Sequence, residues 1–298
     1  MKTPNPLLKK LGFANSDRLA IIHADDVGMC QATLTALADL FDFGLVSSAA
    51  TMVPCAWFPS LAKYCREHPQ ADVGVHTTLN CEWTAYRWGA LSTCDPASGL
   101  LDGDGYMHQR SLATYEHATS EAVQAEIQAQ LQRALAAGVE VTHMDTHMGT
   151  VIHPKFAYGY VQLAVEHRLP AMIPRMDAAS LEQMGMDPVT AAVQAEFIQQ
   201  LEDQGMPMID AVIGMPLDQP EGQLEIAKKL LGELPAGITH FILHPAADTP
   251  ELRALAPDWA SRAANYRTFL SEELREFIRR AGIQVIGYRA LRNILRKG

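Results

Sequence analysis

Short apolar runs alternate with longer amphipathic stretches along the whole chain. Continuous apolar runs separated by helical patterns indicate parallel strands, because crossover helices bury both faces of such a sheet. The predicted strands are residues 18–23, 45–53, 72–76, 140–145, 170–173, 207–210, 238–243 and 284–288. The predicted helices are residues 31–41, 57–67, 121–136, 155–167, 188–201, 222–231 and 261–280.

Seven or eight βα units in a chain of 298 residues favour a closed barrel over an open sheet. We therefore predict an α/β fold, a single distorted TIM-like (β/α) barrel that forms one domain over residues 1–298. A doubly wound open sheet is the alternative. One connection, at about residues 80–120, is long and has little periodicity, which is typical of a lid or an interface.

The composition excludes several classes of partner. The chain has 24 Lys and Arg against 34 Asp and Glu, a net charge of −10, which disfavours binding to nucleic acid. Its apolar runs are much shorter than the roughly 20 residues of a membrane span. Five scattered cysteines form no CxxC pair, and the N-terminal segment lacks the apolar stretch of a secretory signal. These features predict a cytoplasmic enzyme with reduced thiols.

Histidine and aspartate side chains follow four of the predicted strands. In a parallel α/β fold the carboxyl ends of all strands lie on one face, so these side chains are expected to converge. They lie in residues 23–26, at residue 76, in residues 143–147 and at residue 244.

Imidazoles combined with a carboxylate suit zinc, iron, cobalt, nickel or manganese, and three protein ligands leave positions open for water and substrate. No cysteine lies in the four clusters, which disfavours a closed structural zinc site. The sequence therefore predicts a catalytic metal site.

The same clusters resemble the YdjC-like carbohydrate deacetylases, which include the chitooligosaccharide deacetylases. The resemblance covers nearly the whole chain, in the family order, and implies a distorted (β/α) barrel, a divalent metal and hydrolysis of an N-acetyl group on an amino sugar. It rests on HADDVG at 23–28, GVHTTLN at 74–80, HMDTH at 143–147 with HP at 153–154, PR at 174–175 and LHP at 243–245.

The resemblance implies a role for each of six residues. Asp25 corresponds to the general base, His244 to the general acid, and Arg175 to an arginine near the catalytic carboxylate. The metal ligands correspond to Asp26, His76 and His147. Independently of the family, Asp145 is expected to accept a hydrogen bond from a metal-binding histidine.

The predicted function is that of a metal-dependent hydrolase of linear amide C–N bonds, acting on an N-acetylated amino sugar or oligosaccharide. One divalent metal ion is expected, with zinc and magnesium as the leading candidates. The predicted partner is this small-molecule or oligosaccharide substrate, with no nucleic acid and no membrane, and a homodimer is allowed. The alternatives are another metal-dependent barrel enzyme, either an amide hydrolase or a sugar isomerase, and a catalytically silent sugar-binding protein.

Two features bear on substrate recognition. In the long connection, Trp83 and Trp88 are expected either to stack on a sugar ring or to bury a small apolar core beneath the loop. After His147 the chain has Met148 and Gly149, where the family usually has polar and imidazole groups. This departure predicts a roomier and less polar pocket beside His147, and a substrate with an apolar or bulkier group there.

Overall fold

A parallel β-sheet forms the centre of the fold. The computed structural model describes residues 3–297. All strand pairs are parallel, in the order β4-β3-β2-β1-β6-β5, and β7 also pairs with β1. The strands are β1 (Arg18–Val27), β2 (Ser48–Thr51), β3 (Val73–Thr77), β4 (Met144–Thr146), β5 (Ala211–Gly214), β6 (Gly237–Leu243) and β7 (Ile283–Val285).

At least one helix lies between each pair of successive strands, and the predicted helices begin near the observed positions. Residues 261–280, predicted as one helix, instead belong to two helices, because the Ser271 hydroxyl accepts the Leu274 N–H and starts a new one. The α-helices are α1 (Pro6–Lys10), α2 (Gln31–Phe43), α3 (Phe58–Glu67), α4 (Ser111–His117), α5 (Ser120–Ala136), α6 (Pro154–Glu166), α7 (Ala178–Gln183), α8 (Pro188–Asp203), α9 (Gln223–Gly232), α10 (Pro250–Leu255), α11 (Trp259–Phe269), α12 (Glu272–Arg280) and α13 (Tyr288–Lys297). A 3₁₀ helix covers Pro96–Ser98, and a second 3₁₀ segment, His147–Ile152, is interrupted by left-handed backbone at Met148 and Gly149.

The predicted α/β fold with a parallel sheet is confirmed, but the sheet is not a closed TIM barrel. Two predicted strands, residues 170–173 and 207–210, take part only in the isolated bridges Met144–Ala171 and Pro174–Ile209. Pro170, Pro174 and Pro207 have no N–H to donate, which explains why regular ladders do not form there. The sheet is therefore a half-barrel, compatible with a distorted barrel.

Strand β1 lies at the centre of this arrangement. It pairs with β2, β6 and β7, and every residue from Leu19 to Val27 is buried. Its apolar residues pack into the core, whereas His23, Asp25 and Asp26 bring polar groups into the interior. Buried polar groups are costly unless they are hydrogen-bonded, so the carboxyl end of β1 needs polar partners from neighbouring strands.

Among residues 3–297, no helix has both the length and the apolar character needed to cross a lipid bilayer.

Candidate metal centre and active site

Three of the predicted site residues meet at the carboxyl ends of the strands. Asp26 Oδ1 lies 3.3 Å from His76 Nε2 and 3.0 Å from His147 Nδ1. All three side chains are buried, and one potential ligand atom from each lies within 4.8 Å of the others. The predicted metal ligands are therefore brought together from β1, β3 and the residue that follows β4.

The end of β1 explains how two adjacent aspartates reach the same site. Successive residues of a regular strand point to opposite faces of the sheet. Here the register of β1 with β2 shifts between Ala24 and Val27, and Asp26 has a φ of +60°, in the left-handed region. Aspartate adopts this conformation more readily than most residues. The irregularity lets both Asp25 and Asp26 face the histidines.

A second carboxylate orients each of the two histidines. His76 Nδ1 lies 2.8 Å from Asp145 Oδ2, and His147 Nε2 lies 2.9 Å from Glu82 Oε2. Metal-binding histidines typically donate their other ring N–H to a carboxylate, which fixes the ring and its tautomer. The opposite nitrogens, His76 Nε2 and His147 Nδ1, face Asp26 and are the atoms that would bind an ion. The donor set and its outer partners fit a divalent metal ion.

Arg262 of α11 neutralises the carboxylate at the centre of this group. Its Nη1 donates to Asp26 Oδ2 at 2.8 Å and its Nε donates to Asp258 Oδ1 at 2.8 Å. Burial by itself raises the pKa of Asp26, but Arg262 and His147 hold that pKa well below its ordinary value. Asp26 is therefore a permanent carboxylate at neutral pH, as a metal ligand must be.

The neighbouring carboxyl group, Asp25, has a raised pKa, in contrast to Asp26. Burial, followed by the nearby charge of Asp145, raises its pKa to about 6. Its Oδ2 lies 3.9 Å from His76 Nε2 and 3.9 Å from His244 Nε2. A raised pKa increases the basicity of a carboxylate that is still ionised at neutral pH. Asp25 thus combines access to the centre with the basicity expected of a general base.

His244 follows β6 and faces Asp25 across the centre. Its side chain is 20% exposed, more than Asp25 or the three predicted metal ligands. Burial lowers the pKa of His244, so its protonated form is a stronger acid than an exposed histidine. Its backbone N–H donates to Asn265 Oδ1 at 3.0 Å, which ties the end of β6 to α11. The structure thus brings the predicted acid and base together.

Arg175 lies apart from the cluster formed by the predicted metal ligands, Asp25 and His244. Its Nε lies 2.7 Å from Glu202 Oε1 and its Nη1 lies 3.1 Å from Asp210 Oδ1. Asp210 also accepts the backbone N–H of Ile238 at the start of β6, whereas His244 follows the other end of that strand. This placement corrects the expectation that Arg175 lies near the catalytic carboxylate, and the two acidic partners are the physical reason.

The two tryptophans of the long connection are buried. Trp83 is 7% exposed and Trp88 is 5% exposed, and their rings meet edge to face with centroids 5.8 Å apart. Trp88 Nε1 donates to the Asn80 carbonyl at 2.9 Å, and the guanidinium of Arg262 lies 5.5 Å from the Trp83 ring centre. Of the two predicted roles, this geometry favours the apolar core beneath the loop, which here supports Arg262.

The backbone explains the glycine that departs from the family pattern. Met148 and Gly149 have φ values of +55° and +68°, in the left-handed region that favours glycine. Any side chain at position 149 is strained by this conformation, whatever the pocket contains. Met148 is 48% exposed. A less polar surface beside His147 stays a prediction.

Glu82 and Arg262 were not predicted from the sequence as members of this site. Glu82 lies in the aperiodic connection, where no pattern fixes the direction of a side chain. Arg262 lies in a helix, where a lone arginine usually faces water, yet it is 3% exposed. A signal existed only for Arg262: Asp258 precedes it by four residues, the spacing of a helical ion pair. Nothing in that spacing shows that Arg262 is buried.

Comparisons with known proteins agree with the motifs. The family model for YdjC-like protein matches residues 19–280. A carbohydrate deacetylase of Thermus thermophilus is 32% identical over 289 residues, which are 97% of this chain and 99% of that protein. A chitooligosaccharide deacetylase of Yersinia enterocolitica is 28% identical over 173 residues, covering 57% of this chain and 64% of that protein.

A solved structure supports the same fold. The crystal structure of a protein from Enterococcus faecalis V583 matches with a TM-score of 0.75 and 21% sequence identity, covering 93% of this chain and 99% of that one. The family model spans most of the chain, and the Thermus protein matches 97% of the chain. The chain therefore belongs to the YdjC-like protein family.

Proposed function

We propose that this protein is a metal-dependent hydrolase that removes the N-acetyl group from an amino sugar or oligosaccharide, on a distorted (β/α) barrel. The observation that carries the proposal is the convergence of Asp26, His76 and His147 next to Asp25 and His244. The names of its relatives, carbohydrate deacetylase and chitooligosaccharide deacetylase, support the reaction and the class of substrate.

Asp26, His76 and His147 would hold one divalent ion. Two imidazoles and one carboxylate suit zinc and other transition metals, whereas magnesium prefers oxygen ligands. Such an ion supplies Lewis acidity to a carbonyl oxygen and to a water molecule. Asp145 and Glu82 would keep the two histidines in the orientation that the ion needs.

The protein's own groups move the protons. Asp25 takes a proton from the attacking water, since it is ionised at neutral pH and lies beside the metal ligands. His244 gives a proton to the departing amine, which is otherwise a poor leaving group. After His244 has given its proton to the amine, its ring must be protonated again. Because Asp25 Oδ2 and His244 Nε2 are 3.9 Å apart, the proton that Asp25 has gained is close to that ring.

The proposed reaction is tested by measuring acetate released from N-acetylglucosamine and its short oligomers. Enzyme stripped with a chelator and then resupplied with zinc or magnesium is compared with untreated enzyme. We expect acetate release that is lost on stripping and restored by a divalent ion. An aldose–ketose assay on the same samples tests the isomerase alternative. Isomerisation without acetate release, or acetate release that survives stripping, would contradict the proposal.

Replacing Glu82 tests its proposed part in metal binding. We expect Glu82→Gln to weaken metal affinity by about 10- to 100-fold, because a neutral amide is a poorer acceptor for His147 Nε2–H than a carboxylate. Competition with a coloured chelator measures the affinity. Glu221→Gln, which changes an exposed glutamate in the same way, is the control and should bind metal like wild type. Equal affinities for both variants would show that Glu82 does not contribute to metal binding.

Replacing Trp88 separates the two roles considered for the long connection. We expect Trp88→Phe to lower the free energy of unfolding by about 1 to 3 kcal/mol, since the buried Asn80 carbonyl loses its donor. KM for the N-acetyl sugar should stay at its wild-type value. Denaturant unfolding and steady-state kinetics provide the two measurements. A raised KM with unchanged stability would instead favour stacking on the sugar.

A further inference from the structure

Strand β6 has one face against the helices and one face toward the inside of the half-barrel. Phe241 lies on the helix side, because its ring packs against Phe269 of α11 with centroids 6.0 Å apart. His240 points the opposite way, and its ring centre lies 4.5 Å from that of His23 on β1. Side chains alternate between the two faces of a strand, so Ile242 shares the inner face with His240. The inner face of β6 is therefore apolar at Ile242.

This inner face leads to the proposed acid, His244. Same-face neighbours on a strand are about 6.6 Å apart, which places Ile242 next to His244. In the sheet, β6 lies between β1 and β5, and His244 Nε2 lies 3.9 Å from Asp25 Oδ2 at the end of β1. The side of His244 that faces β5 is therefore turned away from the predicted metal ligands.

Strand β5 continues the inner face, and here the face is open to water. Its register places Val212 beside His240 and Gly214 beside Ile242, and partners in adjacent parallel strands project from the same side of the sheet. Val212 is 40% exposed, Gly214 is exposed and Ile242 is partly exposed. Ile213, which points the other way, packs against the apolar core. Parallel sheets are normally covered on both faces, so Val212, Gly214 and Ile242 form an uncovered surface, the open inner face.

The open inner face has the chemistry of a floor for a sugar ring. It consists of two aliphatic side chains and a glycine, none of which offers a side-chain hydrogen bond. A pyranose presents C–H groups on its faces and hydroxyls around its edge, so it can cover an apolar surface while its hydroxyls stay hydrated. A Cβ at Gly214 would have Ile242 Cβ, at 3.7 Å, as its nearest neighbour outside the adjoining residues, which is an ordinary contact. The space above the glycine is therefore free for a ligand.

We propose that the sugar ring of the substrate lies on Val212, Gly214 and Ile242, with its amide nitrogen toward His244. The proposal rests on the proposed function, in which His244 gives a proton to the departing amine. That nitrogen leaves with the sugar, whereas the acetyl carbon lies at the metal. The ring therefore belongs on the side of His244 away from Asp25, and the open inner face lies on that side.

A side chain at position 214 tests this placement by filling the space. The backbone at Gly214 is not left-handed and the residue is exposed, so we expect Gly214→Leu to fold and to keep its metal. Its kcat/KM for the N-acetylglucosamine dimer should fall by at least about 100-fold, because leucine occupies the volume assigned to the ring. Gly103→Leu is the matched control, since Gly103 is exposed and an added Cβ there meets nothing within 4 Å. Equal kcat/KM values for the two variants would overturn the proposal.

Truncation of Val212 tests the floor without adding bulk. We expect Val212→Ala to raise KM by about 10-fold with kcat unchanged, since two methyl groups stop contacting the ring in the ground state and in the transition state alike. Val193→Ala, which truncates a 64% exposed valine on α8, should leave KM unchanged. The rate of acetate release against dimer concentration gives both constants. A wild-type KM in Val212→Ala, or a fall in kcat alone, would contradict the proposal.

A binding measurement separates this inference from the proposed reaction. Zinc-loaded Asp25→Asn protein, with and without Gly214→Leu, is titrated with the dimer in a calorimeter. We expect the sugar to bind to Asp25→Asn and its affinity to fall by at least about 100-fold in the double variant. Equal affinities, or no binding to Asp25→Asn, would overturn the inference even if wild type releases acetate. Binding that Gly214→Leu abolishes, in a protein that releases no acetate, would overturn the reaction and leave the position of the ring supported.

Discussion

We expect Asp25→Asn to lower kcat by about 100- to 10,000-fold, the range typical of losing a general base, while the metal content of the protein stays that of wild type. An amide cannot take the proton of the attacking water, although the amide oxygen of this variant still accepts a hydrogen bond from His23. Asp26, His76 and His147 are unchanged in this variant. Acetate release and elemental analysis of the same preparation measure the two quantities.

The control for this variant is Asp248→Asn, which neutralises a carboxylate paired with Arg253 on the surface. It should retain both kcat and metal. If Asp25→Asn turned over substrate as fast as the control, Asp25 would not be the base. If Asp25→Asn instead lost the metal, Asp25 would be a ligand, and the roles given to the two adjacent aspartates would have to be exchanged.

We expect His76→Ala to lose the metal and, with it, acetate release. The substitution deletes the nitrogen that lies 3.3 Å from Asp26 Oδ1 and leaves the buried Asp145 without its 2.8 Å partner. Two of the three proposed ligands remain, and we expect the affinity for metal to fall by at least about 100-fold. Equilibrium dialysis against zinc, followed by elemental analysis, measures the loss.

Folding must be checked in parallel, because an unpaired carboxylate in the interior destabilises the protein. His117→Ala changes an exposed histidine at the end of α4 and should keep both metal and activity. A folded His76→Ala protein with full metal occupancy would show that His76 is not a ligand.

The parallel sheet and the convergence of the site could be predicted because both follow from local patterns. Buried parallel strands are continuous apolar runs, and their carboxyl ends share one face, so aspartate and histidine after such runs must meet. Asp145 was also predictable as a partner for a histidine ligand. It lies two residues before His147, yet the structure shows it bound to His76 of the neighbouring strand.

Contacts between distant segments could not be predicted in this way. Glu82 and Arg262 reach the centre from a long connection and from α11, and no periodicity specifies which side chains of such segments turn inward. The expectation that Arg175 lies near the catalytic carboxylate came only from its match to a motif of the family. Its partners Glu202 and Asp210 lie far along the chain, and nothing in the local sequence reveals the ion pairs that hold it.

The proposed metal centre is tested most directly by anomalous X-ray diffraction from crystals of the zinc-loaded protein. We expect one anomalous peak per chain, at about 2.0 to 2.2 Å from an oxygen of Asp26, from His76 Nε2 and from His147 Nδ1. Asp25 and His244 should lie beside this peak without being ligands. A strong peak at any other group of side chains, or full zinc loading with no peak at Asp26, would contradict the proposed active site.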